Sequence, residues 1–233
     1  GECVAIGDEA LSSLANTSNG AVAVGYQALK ANLTHSNVAV GHSALVATTT
    51  GHSNTAIGTN AGAANTTGLR NMAIGTEAYI NSDTENDNIA IGYSAMNTNT
   101  AGGTNNLAIG NYALDALTSA DHCIGIGDSA GSAITTGGNN TVIGSAAGDA
   151  IVGGANNTSL GTSAGGGVSG GNDNVCLGVE TGNYGVVLTT GSRNILIGNY
   201  AHGPDAASAD AIVLGYNVGG ANSTLSFGNA TTD

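Results

Sequence analysis

One short sequence recurs along the whole chain at intervals of about 17 residues, and self-similarity at a nearly fixed period marks a repeat architecture. Asn88-Ile89-Ala90-Ile91-Gly92 is one copy, and Ala95 follows three places after its glycine. We call this glycine the repeat glycine, and positions in each copy are counted from it, so that Asn88 is at position −4. Fourteen repeat glycines occur: Gly7, Gly25, Gly41, Gly58, Gly75, Gly92, Gly110, Gly127, Gly144, Gly161, Gly178, Gly198, Gly215 and Gly228. A chain of such units is expected to fold by stacking them, each unit contacting its neighbours.

The residues just before the repeat glycine have the pattern of a short β-strand. Position −1 is Ile, Val, Leu or Phe in all fourteen copies, and position −3 is apolar in eleven copies and Thr in three. Since side chains alternate between the two faces of an extended chain, positions −1 and −3 share one face. We predict that this face is buried. Position −2 is mostly a small residue, most often Ala, which lets the opposite face approach a neighbouring backbone or chain.

The rest of each unit is expected to return the chain to the next strand. Ala recurs at position +3 in eleven copies, usually followed by Leu or Gly, and this predicts a second, shorter strand. The remaining residues are rich in Asn, Thr and Gly, which is typical of turns. The whole pattern predicts an all-β fold, a parallel β-solenoid (β-roll) of about 14 coils of roughly 17 residues each.

Position −4 is asparagine in nine copies. Because stacking places equivalent residues above one another, these side chains are predicted to form a structural ladder of amide hydrogen bonds. The nine residues are Asn37, Asn54, Asn71, Asn88, Asn106, Asn140, Asn157, Asn174 and Asn194.

The repeat becomes irregular near the C-terminal end. The interval from Gly178 to Gly198 is the longest between repeat glycines, the next unit holds the only proline, and the last interval, from Gly215 to Gly228, is the shortest. We therefore divide the chain into a regular solenoid, residues 1–182, and irregular C-terminal coils with a possible tip, residues 183–233. Recognition tends to lie on loops carried by a rigid scaffold. The candidate receptor-contact residues are Tyr184, Val186, Val187, His202 and Pro204.

Three other tyrosines follow a repeat glycine directly. Tyr26, Tyr93 and Tyr216 are regular in position, and we interpret them as structural residues at a seam between chains.

Composition excludes several classes of partner. The formal charge is −13, and Lys30, Arg70 and Arg193 are the only lysine and arginines. Such a chain is not expected to bind nucleic acid or an anionic membrane surface. No uninterrupted apolar run is long enough to cross a bilayer, so no membrane span is predicted.

No catalytic, metal or cofactor site is predicted. The five histidines are interpreted as occupying unlike repeat positions without metal-binding spacing. Asp83, Glu85 and Asp87 alternate in one loop and are interpreted as a solvated acidic loop in preference to a calcium site. The three cysteines follow the repeat register and are expected to be small buried thiols. Since no paired carboxylates face one groove, the chain is not expected to be an enzyme.

The segments Asn71 to Ala78 and Asn88 to Ala95 resemble the head repeat of trimeric autotransporter adhesins. Asn54 to Gly58, with the Thr-Thr-Gly at 66–68, is similar to repeats of bacteriophage tail fibres, and the length of the repeat unit favours that second family. The resemblance implies a left-handed homotrimeric rod with three chains side by side. It also implies an extracellular location, on a virion tail fibre or a bacterial cell surface, and a host surface glycan or protein receptor as partner.

The sequence thus favours a structural and adhesive fibre element that attaches to a host or receptor. One alternative is a subunit of a self-assembling extracellular filament, because no capping unit is evident and solenoid ends leave strand edges unpaired. Another is an ice-binding solenoid, suggested by the threonine content, although most threonines fall in loops of unequal length. A polysaccharide-cleaving solenoid would need a carboxylate cluster that the sequence lacks.

Overall fold

The computed structural model describes residues 2–13, 20–98 and 102–228. The chain divides into two compact units, residues 1–119 and residues 120–233. Fourteen strands of three residues each are present, all of them parallel, and the predicted parallel β-solenoid is confirmed. None of the described residues forms a helix long and apolar enough to cross a membrane. The division into 1–182 and 183–233 stays a prediction, as do the handedness and the trimer.

Every strand occupies positions −3 to −1 of its repeat. The first unit contains β1 (Val4–Ile6), β2 (Val22–Val24), β3 (Val38–Val40), β4 (Thr55–Ile57), β5 (Met72–Ile74), β6 (Ile89–Ile91) and β7 (Leu107–Ile109). The second contains β8 (Ile124–Ile126), β9 (Thr141–Ile143), β10 (Thr158–Leu160), β11 (Val175–Leu177), β12 (Ile195–Ile197), β13 (Ile212–Leu214) and β14 (Leu225–Phe227). Within each unit, consecutive strands pair with equivalent positions opposite each other, as Ala73 pairs with Ala90.

The prediction of which strand face is buried was wrong. The residue at position −2 is buried in every strand from β2 to β13; it is small in most of them, as in Ala73 and Ala90, and larger in Val142, Leu196 and Val213. The larger residues at positions −3 and −1 point outward, and none of them is buried in any of the fourteen strands. Because one coil is built from so short a repeat, its interior is narrow. In most strands alanine or another small residue fits inside it, and the branched side chains at positions −3 and −1 lie on the outer face.

The predicted second strand after the repeat glycine was also wrong. In the coils from Gly7 to Gly161, positions +1 to +6 form a turn in which the residues at +2 and +4 have positive φ, as in Gln27 (57°) and Leu29 (50°). Near the C-terminal end a single isolated parallel bridge, from His202 to Gly219, occurs at position +4. Such angles are uncommon outside glycine. Here hydrogen bonds between coils stabilise them, because Gln27 N–H donates to the Asp8 carbonyl and Leu29 N–H to the Ala44 carbonyl, both at 3.0 Å.

The repeat glycine is needed for two reasons. Gly161 has a φ of 133°, which side chains rarely allow. In addition, a β-carbon on Gly161 would lie 2.6 Å from the carbonyl oxygen of Gly178 in the next coil. The close approach of successive coils at this point therefore requires glycine.

The two units fill their interiors differently. In the first unit position +4 is mostly large and buried, as in Leu45 and Tyr79, while position +7 is polar in four of the five described coils, as in Thr48 and Ser82, and Leu117 is the exception. The second unit reverses this: glycine stands at +4 in four coils and aliphatic residues at +7 in three of them. The +4 glycines are Gly131, Gly148, Gly165 and Gly182, and the +7 residues are Ile134, Ile151 and Val168. Since a β-carbon on Gly148 would lie 2.5 Å from Val142 Cγ1 and 2.9 Å from Ile151 Cδ1, large residues at other positions fill the space that the glycine leaves in this coil.

Candidate functional site

Three tyrosine rings from successive coils lie in a row on the second unit. The ring centroids of Tyr184 and Tyr200 are 4.7 Å apart, and those of Tyr200 and Tyr216 are 5.7 Å apart. Tyr184 and Tyr216 are 44 % and 55 % exposed. We call Tyr184, Tyr200 and Tyr216 the tyrosine row. Exposed aromatic rings of this kind offer apolar faces together with hydroxyl groups that donate and accept hydrogen bonds.

His202 lies beside the row and is held by the main chain. β-Carbons placed on Gly185 and Gly219 would lie 3.5 Å and 2.9 Å from its ring, so the ring packs closely against both residues. Its backbone N–H donates to Val218, and its carbonyl accepts from Gly220. Nδ1 lies 2.9 Å from the Gly203 carbonyl oxygen, which only accepts, so this hydrogen bond needs the proton on Nδ1.

The other predicted contact residues lie in the two loops that flank these rings. Val186 and Val187 are exposed in the enlarged loop, and Val187 packs closely against Gly167. Pro204 lies in a turn that Ser208 closes, with the Asp205 N–H donating to the Ser208 hydroxyl at 3.0 Å. The His202 ring therefore packs against Gly185, the residue that follows Tyr184. The exposed Val186 and Val187 come next in the same loop.

The sequence analysis did not identify Tyr200, and it interpreted Tyr216 only as a structural residue at a seam between chains. The signal was the spacing, because Tyr184, Tyr200 and Tyr216 follow one another at equal intervals that are close to one coil in length. The remaining regular tyrosines also meet an aromatic ring of the next coil. Tyr26 contacts His42 with centroids 5.1 Å apart, and Tyr93 contacts Tyr112 at 5.3 Å.

An apolar face runs along the outward side of the strands in each unit. It consists of positions −3 and −1 of the strands, and we call it the outer strand face. The exceptions to its apolar character are Thr55, Thr141 and Thr158, and none of its residues is charged. Ile57 and Leu160 are examples, with 41 % and 47 % of the residue exposed. Monomeric proteins rarely expose contiguous apolar surfaces of more than a few hundred Å².

The nine asparagines at position −4 are all buried and link successive coils. In place of a stack of amides bonded to one another, most of their hydrogen bonds go to the main chain. Asn140 Oδ1 accepts from the Asn157 backbone N–H at 2.9 Å, and Asn140 Nδ2 donates to the Gly154 carbonyl at 2.7 Å. Direct amide contacts occur as well, for example from Asn174 Nδ2 to Asn157 Oδ1 at 3.0 Å.

No group of three or more His, Cys, Asp or Glu side chains suited to a metal ion exists in the described part of the chain. Asp87 pairs with Arg70, and Glu85 is buried, where its Oε2 accepts from the backbone N–H groups of Asp83 and Thr84. The histidines do not all occupy unlike positions: His35 and His52 both lie at position −6 and stack with centroids 5.5 Å apart.

Two of the three cysteines are buried. Cys123 occupies an asparagine position of the ladder, and its thiol donates to the Gly137 carbonyl at 3.4 Å. Complete burial raises the pKa of the Cys176 thiol to about 12. At neutral pH Cys176 is therefore a packed thiol and not a nucleophile.

Comparison of the chain with protein-family models, with curated proteins and with solved structures finds no match.

Proposed function

We propose that the chain is a structural and adhesive fibre element, a β-solenoid that packs against copies of itself and presents a recognition surface. The homotrimer, the placement in a phage tail fibre or bacterial surface adhesin, and the extracellular location follow from the resemblance of the repeats. The observation that carries the proposal is the outer strand face.

The outer strand face has the properties of a surface made for association. In each unit the outer strand face contains fourteen residues, two from each of seven strands, and none of them is buried. Scattered single apolar residues are normal on a protein surface, but a row of this length is not. Covering such a face returns about 25 cal/mol for each Å² of apolar surface removed from water. Because much of the buried interior is alanine, this return is a substantial addition to the stability of the fold.

A second copy of the chain is the occupant that fits this face. The chain carries a formal charge of −13, yet no charged residue lies on the face, so the repulsion between copies is kept away from the contact. Successive strands repeat the same side chains at the same spacing. Two copies in register therefore present matching ridges along each unit, and stable interfaces need only about 800 Å² from each partner.

The recognition surface is placed at the tyrosine row and the neighbouring exposed valines. Tyrosine supplies a large rigid contact area with little loss of side-chain entropy and is enriched where proteins bind partners. A host surface glycan suits this row because its apolar sugar faces pack on aromatic rings and its hydroxyl groups bond to the tyrosine hydroxyls. A loss of binding to host cells in Tyr184→Ala and Tyr200→Ala would support this, and unchanged binding would contradict it.

Charged substitutions on the face test the association. Ile57→Glu combined with Ile89→Glu places two carboxylates on the outer strand face of β4 and β6, without touching the buried −2 column. We expect the variant to remain folded by circular dichroism and to sediment as a smaller particle than the wild type. Thr67→Glu adds a charge at an exposed position away from the face and is the matched control.

The two variants separate the possible outcomes. Loss of assembly in the doubly charged variant, with normal assembly of Thr67→Glu, supports association through this face. Unchanged assembly of a folded doubly charged variant would place the contact elsewhere and overturn this part of the proposal.

A further inference from the structure

The coil of the first unit that contains Gly58 has smaller interior side chains than the coils on either side. Its inward residues are Ala56, Ala61, Gly62 and Asn65, whereas the preceding coil has Ala39, Ala44, Leu45 and Thr48 and the following coil has Ala73, Ala78, Tyr79 and Ser82. Leu45 fills part of the difference, because its Cδ2 would lie 2.9 Å from a β-carbon on Gly62. The interior at this coil still lacks the large side chain that the coils on either side possess.

Two polar side chains at this place have no hydrogen-bond partner among the described residues. Both Nδ2 and Oδ1 of Asn65 and the Oγ of Ser82 are buried and unpaired, and each residue is only 1 % exposed. The backbone of Asn65 is satisfied, since its carbonyl accepts from the Thr48 hydroxyl at 2.9 Å and its N–H donates to Gly62 at 3.1 Å. Only the side-chain amide is left open. Buried polar groups in native proteins nearly always have a partner, either protein or water.

The two unpaired side chains belong to equivalent positions of adjacent coils. Hydrogen bonds flank them on both sides, from Ala64 N–H to the Ile80 carbonyl at 3.0 Å and from Thr66 N–H to the Asp83 carbonyl at 2.8 Å. Asn65 and Ser82 are therefore stacked, with their main chains about 4.8 Å apart as in paired strands.

We infer that Asn65 and Ser82 form an internal hydration site that binds an ordered water molecule between these two coils. Water both donates and accepts, and the open groups are two amide N–H donors, an amide oxygen and a hydroxyl. A buried water makes about three hydrogen bonds, which this set supplies. The nearby Glu85 carboxylate is not available to hold a cation, because backbone N–H groups of Asp83, Thr84 and Gly102 already donate to it.

The second unit shows an apolar form of the same coil. There, a glycine at position +4 goes with an aliphatic residue at +7, as in Gly148 with Ile151 and Gly165 with Val168. The coil of Gly62 has the glycine but carries Asn65 where the aliphatic residue would stand. Water thus takes the place of the missing aliphatic side chain, and Asn65→Val converts this coil to the apolar form, which has no polar side chain to hold a water.

A crystal structure of the native protein at a resolution that shows ordered water is the direct test. We expect a water oxygen within hydrogen-bonding distance, about 2.7–3.2 Å, of the Asn65 amide and of Ser82 Oγ. An interior with no density at that place would overturn the inference.

Unfolding equilibria give a second test, because Ser82→Ala changes the unfolding constant in opposite directions depending on whether a water is bound. If water bridges the two residues, Ser82→Ala removes one anchor and raises the unfolding equilibrium constant about fivefold in the wild type. In the Asn65→Val background, Ser82→Ala no longer raises the unfolding equilibrium constant, because the water is absent. If the site is dry, Ser82→Ala removes an unpaired hydroxyl and lowers the constant in both backgrounds, which overturns the inference. Asn157→Ala is the control, since it removes a direct hydrogen bond to the Gly171 carbonyl in the other unit and should act equally in both backgrounds.

Discussion

The side-chain oxygen of Asn71 accepts a hydrogen bond from the backbone N–H of Asn88, 3.0 Å away in the next coil. Its Nδ2 donates to the carbonyl of Glu85 in that same coil at 2.6 Å. One buried side chain thus satisfies two main-chain groups of its neighbour. The ladder of asparagines therefore holds successive coils together by contacts that do not depend on the side chain of the next rung.

Removing one rung should destabilise the fold. Asn71→Ala leaves the N–H of Asn88 and the carbonyl of Glu85 without this partner, and we expect a loss of about 1–3 kcal/mol in the free energy of unfolding. Urea denaturation measures it. Asn81→Ala is the control, because Asn81 is exposed and its side chain donates to the half-buried Asn97 side chain, and a change within about 0.5 kcal/mol is expected there. Equal effects of the two changes would contradict the structural role of the ladder.

Cys123 stands where most coils have asparagine. An asparagine there would donate to the Gly137 carbonyl and accept from the Asn140 N–H, as Asn140 does for Gly154 and Asn157. We expect Cys123→Asn to raise the free energy of unfolding by about 1 kcal/mol. Cys123→Ala, which removes the thiol without adding a rung, should not raise it. A destabilised Cys123→Asn protein would show that the ladder geometry is not continued at this coil.

A β-carbon at the repeat glycine should be poorly tolerated. Gly161→Ala combines an unfavourable φ with a close approach to the Gly178 carbonyl, and we expect a loss of roughly 3 kcal/mol. Gly170→Ala, at a glycine with no heavy atom within 4 Å of the added carbon, is the control and should change stability little. Thermal unfolding of both variants checks this. A Gly161→Ala protein as stable as the control would mean that the coils are further apart than described.

The exposed ion pairs predict a weak acid dependence of stability. Side-chain hydrogen bonds from Arg70 and Arg193 lower the pKa values of Asp87 and Asp210. A carboxyl whose pKa is lower in the folded protein contributes stability above its unfolded pKa and loses it as the pH falls through the folded value, here below about pH 5. The double variant Arg70→Gln, Arg193→Gln should therefore lose less stability on acidification than the wild type. Since both pairs are exposed, the difference should be small and should shrink with added salt, and identical acid limbs would contradict it.

The strand positions were predictable from sequence, but the burial of their faces was not. Alternation of Ile89, Ala90 and Ile91 shows that two faces differ, and it does not say which face is inside. Size alone favours the isoleucines as core. The isoleucines lie outside because a coil this short has a narrow interior. The space next to the strand is already filled by residues at +3 and +4, such as Ala95 and Met96.

The turn after the repeat glycine and the tyrosine row escaped prediction for different reasons. Positive φ at residues such as Gln27 and Leu29 is stabilised by hydrogen bonds to other coils. The conformational preference of a single amino acid does not include those bonds, so it could not predict the turn. Tyr200 and Tyr216 occupy different positions relative to their repeat glycines, +2 and +1. Only the coil register, with its uneven loop lengths, brings their rings together with Tyr184.

The mass of the native particle in solution tests the central proposal most directly. Light scattering coupled to gel filtration compares it with the 22.4 kDa chain. Association through the outer strand face predicts a single species, and the trimer predicts three times the chain mass. An open-ended distribution of masses would indicate the filament instead. A clean monomer would contradict the proposed self-association and with it the fibre function.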